Sequence, residues 1–171
     1  MKENLVLRRS CKKYKGDMVP DELIDKVIKA GLYAPSGMNK QAPIILAIKD
    51  KNLRDRLERM NAEIAGMRYD GKPFYNAPVV LVVLADKNVS TYKYDGALCL
   101  GNMLNEAYNL GLGSCWIHRA KEEFESEEGK AILNDLGVLG EYEGIGHCII
   151  GYSDGYEPKE KLIKDNRVFK K

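Results

Sequence analysis

Apolar and polar positions along the chain fall into blocks whose period switches between that of a helix and that of a strand. Leu23, Ile24, Val27 and Ile28 share one face at helical spacing, with Pro20 at the first turn and Asp21 and Glu22 favouring the positive end, so the spacing predicts a helix from Pro20 to Leu32. Pro35 stops it. Ile44–Ile48 reads as a short apolar strand. From Asp50 onward Leu53, Leu57, Met60, Ile64 and Met67 recur at helical spacing, the mark of an amphipathic helix with an inner stripe.

Pro78–Ala85 is apolar at every position, which suits a central strand covered on both faces. Tyr92–Leu110 follows as a long helix carrying Ala97, Leu98, Leu100, Met103, Leu104, Ala107 and Tyr108. Its apolar arc is wide for a surface helix. A helix apolar over most of its girth buries two sides, so a subunit interface is expected. Gly111-Leu112-Gly113 ends it, Ser114–His118 predicts a strand, Glu127–Leu136 a short helix, and Gly146–Tyr152 a final core strand. The tail from Glu157 to Lys171 is polar and basic. There is no internal repeat, linker or low-complexity block, and 171 residues suit one domain with a sizeable core.

Charge narrows the partners. With 27 basic against 25 acidic residues the net charge is +2, too little for a field that would by itself attract nucleic acid. The longest apolar run, Pro78–Ala85, is far below the roughly 18 residues of a membrane-spanning helix. Met1-Lys2-Glu3-Asn4 leads into no apolar stretch of signal-peptide length, so a cytoplasmic location is expected. Cysteines 11, 99, 115 and 148 have no short paired spacing, and only His118 and His147 accompany them, which disfavours a metal site or a dithiol redox pair. Cys99, Cys115 and Cys148 sit among apolar neighbours and read as core.

Two segments carry the chemistry. Arg8-Arg9-Ser10-Cys11-Lys12 puts three cations and a hydroxyl within five residues, and Ala34-Pro35-Ser36-Gly37-Met38-Asn39-Lys40-Gln41 is a polar turn rich in amides. Together they suit a small phosphorylated ligand with a polar ring. Each also has an ordinary reading: a solvated basic face for the first, and a helix stop for the second.

The two segments in this order resemble the FMN-dependent nitroreductases of the short form, across nearly the whole chain. Arg8-Arg9-Ser10-Cys11-Lys12-Lys13-Tyr14 matches the family's opening pattern, and Pro35–Gln41 its second motif. Asp95, Ala97, Asn102, Met103, Ala107 and Gly111–Trp116 fit its interface helix and following strand. The resemblance implies an α+β fold of three α-β-α layers around a mostly antiparallel sheet, in an intertwined homodimer with FMN at the interface. It implies phosphate contacts from Arg8 and Ser10, completed by Arg167, with Arg9 and Lys12 along the ring side. Lys12 would stabilise negative charge on the reduced ring. Pro35 and Ser36 would shape a turn whose Asn39 and Gln41 amides reach the partner's flavin. The backbone of Trp116-Ile117-His118 would run along the ring's reactive edge.

The implied activity is hydride transfer from NADH or NADPH, held transiently, through FMN to a nitroaromatic, quinone or similar small acceptor, with no side chain as acid or base. In Gln41-Ala42-Pro43-Ile44 the proline is delayed and the family's aromatic is missing, Lys12 stands where arginine is common, and His118 replaces an acidic or small residue. The altered segment motivates an alternative: an FMN-binding carrier, sensor or structural protein without useful turnover. A cysteine hydrolase built on Cys115 is a third, weaker reading, since neither histidine is placed as its base.

Overall fold

The computed structural model describes residues 3–68, 70–155 and 161–171. Four strands form one sheet in the order β1 (Pro43–Ile48), β2 (Val79–Asp86), β4 (Tyr142–Gly151), β3 (Gly113–Ile117), every neighbouring pair antiparallel. The α-helices among the described residues are α1 (Glu3–Leu7), α2 (Asp21–Leu32), α3 (Lys51–Ile64), α4 (Tyr92–Asn109), α5 (Ala120–Glu125) and α6 (Glu127–Asp135), with a short 3-10 turn at Gly37–Asn39.

The all-apolar β2 lies in the middle of the sheet, and successive side chains enter two separate cores, because strand residues alternate between faces. Val80, Val82 and Leu84 pack with Leu57 and Met60 of α3, Phe124 of α5 and Ile132 of α6. Val79, Leu81 and Val83 pack with Ile24 and Val27 of α2 and Cys99, Leu100 and Met103 of α4. The result is the α-β-α layering that the family resemblance implies.

Several boundaries differ from the expected ones for local reasons. Asp50 accepts the Leu53 backbone N–H at 2.8 Å and caps α3, which ends at Ile64, leaving Met67 outside it. Strand β4 starts at Tyr142, four residues before the expected Gly146. The register shifts between Val83/Gly146 and Leu84/Gly144, so Ile145 is the extra residue of a bulge, and the bulge hides the alternation. Helices α1 and α5 were not expected; each is under two turns long, too short to show a period. His118 lies one residue past the end of β3.

Candidate functional site

The basic amino-terminal segment is laid along the sheet edge. Ser10 forms a parallel bridge with Ser114 of edge strand β3, and Cys11 donates its N–H to the Ser114 carbonyl at 2.8 Å. The approach is close enough that a Cβ on Gly113 would stand 2.7 Å from the Cys11 sulfur, so only glycine fits there. Tyr14 closes the segment by donating its hydroxyl to the Cys11 carbonyl at 2.9 Å.

The four cations of the segment are not equivalent. Lys13 pairs with Asp154 at 3.0 Å. Arg9 donates to the Val6 and Arg8 carbonyls at 2.6 and 2.8 Å, holding the end of α1. Among the described residues, Arg8 and Lys12 have no carboxylate partner; Lys12 lies 5.8 Å from the centre of the Tyr75 ring. Both reach β3 electrostatically: burial pushes the Cys115 thiol up, while the Ser10 hydroxyl and the charges of Lys12 and Arg8 pull against it. Two cations and a hydroxyl beside an edge strand form a donor set that suits a phosphate.

The second segment is a strained turn presenting polar groups outward. Met38, Asn39 and Gln41 have φ of 49°, 55° and 51°, a region that costs a non-glycine residue about 1–3 kcal/mol. The turn is held from both ends. Gly37 donates its N–H to Asp95 of α4 at 3.1 Å, Thr91 donates its hydroxyl to the other Asp95 oxygen at 3.0 Å, and the Gln41 N–H reaches the Ser36 hydroxyl at 3.0 Å. The Gln41 amide donates to that of Asn39 at 3.3 Å, and both side chains stand in solvent.

Within one chain these groups do not share a cavity. Arg8 and Arg9 line a groove of about 460 Å³ with Tyr108 and Gly113; Pro35, Ser36 and Gln41 border a cleft of about 140 Å³; Trp116 and His118 line one of about 320 Å³ with Lys93, Arg119 and Gly144. The Trp116 indole packs over Gly146 of β4, its nitrogen 2.5 Å from where a Cβ on that glycine would stand. Ile117 is half-buried against the core, and Arg167 is exposed in the 161–171 tail, no part of which is in secondary structure. The tail's residues 157–160 lie outside the described residues.

A buried polar network missed by the sequence reading sits behind the end of β3. His147 of β4 faces Glu123 of α5, Nε2 to Oε2 at 2.8 Å, and its Nδ1 meets the Ile117 carbonyl at 3.2 Å. Asn61 of α3 donates to Glu123 and, at 2.8 Å, to the His118 carbonyl. His147 and Glu123 have no solvent exposure, and Asn61 has 2%. Two signals for it existed: Asn61 falls four residues after Leu57 on the apolar face of α3, and His147 interrupts an apolar strand.

All four cysteines are free and buried. Burial pushes Cys99 up to about 12 and moves Cys148 in the same direction. Burial likewise raises Cys115, the thiol on which the cysteine-hydrolase reading rests, and a thiol so raised is a poor nucleophile. Among the described residues no group of His, Cys, Asp and Glu is arranged to hold a metal, and no helix is long and apolar enough to cross a membrane.

A three-layer α+β fold with a basic arm on its edge strand and a strained polar turn on its flank offers donors of the class that suits a small ligand carrying phosphate. Comparison with known proteins makes that class particular. Residues 5–164 match the nitroreductase family model, and the chain belongs to the nitroreductase family. A protein of Archaeoglobus fulgidus named as an NADH dehydrogenase/NAD(P)H nitroreductase is 30% identical over 167 residues, covering 92% of this chain and 90% of that one. A nitroreductase with bound FMN from Bacteroides fragilis superposes with a TM-score of 0.87 at 27% identity, covering 98% of this chain and 96% of that one. Another from Desulfitobacterium hafniense, also with bound FMN, gives 0.87 at 27% identity over the full length of both chains.

Proposed function

We propose that the chain is an NAD(P)H-dependent flavin oxidoreductase that holds FMN as its cofactor and works as a homodimer. The observation that carries this reading is the pair Arg8 and Lys12, cations without a carboxylate partner among the described residues, flanking Ser10 on the edge of β3 in a chain of the nitroreductase family. Arg8 and Ser10 would hold the phosphate. Lys12 would lie toward the ring, where a cation favours negative charge on the reduced form. When bound, FMN supplies the redox chemistry, taking hydride from NADH or NADPH and passing reducing equivalents to a small acceptor.

The dimer is supported by what one subunit leaves uncovered. Tyr94, Leu98 and Tyr108 of α4 are 74%, 48% and 37% exposed, and Tyr33 and Met38 near the turn 78% and 84%. Apolar residues exposed in such number on one flank favour a protein contact. A second subunit placed there would carry its Pro35–Gln41 turn toward the first subunit's basic arm, joining motifs that one chain keeps in separate clefts. Asn39 and Gln41, already outward, would then meet the polar edge of the ring. Arg167 of the exposed tail would complete the phosphate clamp.

The acceptor class we assign is a small oxidised aromatic, a nitroaromatic or quinone, stacking over the ring in the space bordered by Trp116 and His118. Anaerobic mixing of the flavin-loaded protein with NADH or NADPH tests turnover: the oxidoreductase bleaches, and the acceptor restores the colour. A yellow protein that never bleaches favours instead a flavin carrier or sensor, the reading that the altered Gln41–Ile44 segment supports.

A further inference from the structure

We infer that Asn61, Glu123 and His147 are positioning residues that set the direction of two backbone N–H groups, those of His118 and Arg119, toward the reactive edge of the flavin; this rests on the FMN reading above. A carbonyl can only accept, so at the Ile117 oxygen, 3.2 Å away, His147 Nδ1 must carry a proton. Its Nε2 then meets Glu123 Oε2 at 2.8 Å with one proton between them, as imidazolium and carboxylate or as neutral imidazole and carboxylic acid. The remaining Glu123 oxygen and the His118 carbonyl are both taken by the Asn61 amide. Both ring nitrogens, both carboxylate oxygens and both carbonyls thus have partners, and the His147 and Glu123 side chains have no solvent exposure.

The consequence follows from peptide geometry. A trans peptide is planar, with C=O and the next residue's N–H pointing in opposite directions. Anchoring the Ile117 carbonyl therefore aims the His118 N–H away from the core, and anchoring the His118 carbonyl does the same for Arg119. Residue 119 needs the anchor most: Arg119 has φ of 78°, a left-handed conformation that a non-glycine residue keeps only when its surroundings impose it. Phe74 packs against the His147 ring, with ring centres 5.2 Å apart and planes tilted by 49°, and so crowds its rotation. Helix α3, helix α5 and strand β4 thus converge on one turn of chain whose outward side borders the cleft of Trp116 and His118. None of Asn61, Glu123 and His147 lines that cleft, so the network acts on the cofactor through the two peptides it anchors.

The test uses the flavin-loaded protein with 15N-labelled backbone. On anaerobic reduction with dithionite, the His118 or Arg119 amide resonance should shift more than any amide of α6, which lies away from the site; if neither amide responds, the inference is wrong, while a protein that takes up no FMN overturns the underlying reading instead. Asn61→Ala and Glu123→Ala should retain FMN but slow its reduction by NADH about tenfold or more, because misplacement of reacting groups by a fraction of an ångström has effects of that order. Glu123→Gln, which can accept from Asn61 through oxygen and donate to His147 through nitrogen, should recover at least about a third of the rate. Should an alanine variant not fold, the amide shifts of the parent still decide. Variants that lose heat stability yet reduce their bound flavin at the parental rate would mark the network as merely structural.

Discussion

Gly37 donates its backbone N–H to the buried carboxylate of Asp95 at 3.1 Å, tying a turn with three non-glycine residues at positive φ to helix α4. Thr91 donates to the same carboxylate, so one side chain opposes strain at three neighbouring positions. Asp95→Ala should lower unfolding stability by about 1.5–3 kcal/mol, the range for hydrogen bonds to a charged group. Urea denaturation checks it. An unchanged midpoint would show that the turn holds itself.

The phosphate assignment separates cations that composition alone cannot. Arg8→Ala removes a guanidinium that has no carboxylate partner among the described residues and should weaken FMN binding about tenfold to a hundredfold, the equivalent of about 1.5–3 kcal/mol. Lys13→Ala, which breaks only the exposed pair with Asp154, should weaken it about threefold at most. Fluorescence titration of the apoprotein with FMN distinguishes them. Equal effects would mean that net charge, and not placement, governs binding.

Burial of all four cysteines predicts slow thiol chemistry. With Cys99 pushed up to about 12, its thiolate is scarce at neutral pH. A disulfide reagent should label less than one thiol per native chain within minutes at pH 7 and all four after denaturation. Rapid native labelling at Cys115 would reopen the nucleophile reading.

Glu128 of α6 joins α3 through one oxygen, 2.6 Å from Arg56 and 2.7 Å from Arg59. The Arg56 hydrogen bond first, and the two charges, hold its carboxyl below the usual range. A folded-state value below the unfolded one stabilises at pH above the unfolded value, about 4.3, and the contribution is lost as pH falls through the folded value. Glu128→Gln should therefore cost up to about 1 kcal/mol at pH 7, a bound set by partial exposure, and nothing near pH 2. Paired melts at the two pH values check the sign.

The framework was legible where one pattern ran long enough. β2, α2, α3 and α4 follow from unbroken apolar periods, and the resemblance of the two short motifs led to the family. The α5 helix was illegible because six residues span fewer than two turns, and the start of β4 because a bulge at Ile145 breaks the alternation. The Asn61–Glu123–His147 network combines residues from three elements, its bonded side chains up to 62 positions apart, that meet only in the fold. Periodicity says which face is buried; it does not pair a buried polar group with its partner. Nor does one chain bring the two motifs together, since they line different clefts.

The central claim is that this chain holds FMN, and the visible spectrum of the purified protein tests it most directly. We expect flavin absorption bands near full occupancy, after reconstitution with FMN if needed, and release on denaturation of a flavin whose mass is that of FMN, about one per subunit. A folded protein that stays colourless and takes up no FMN contradicts the account.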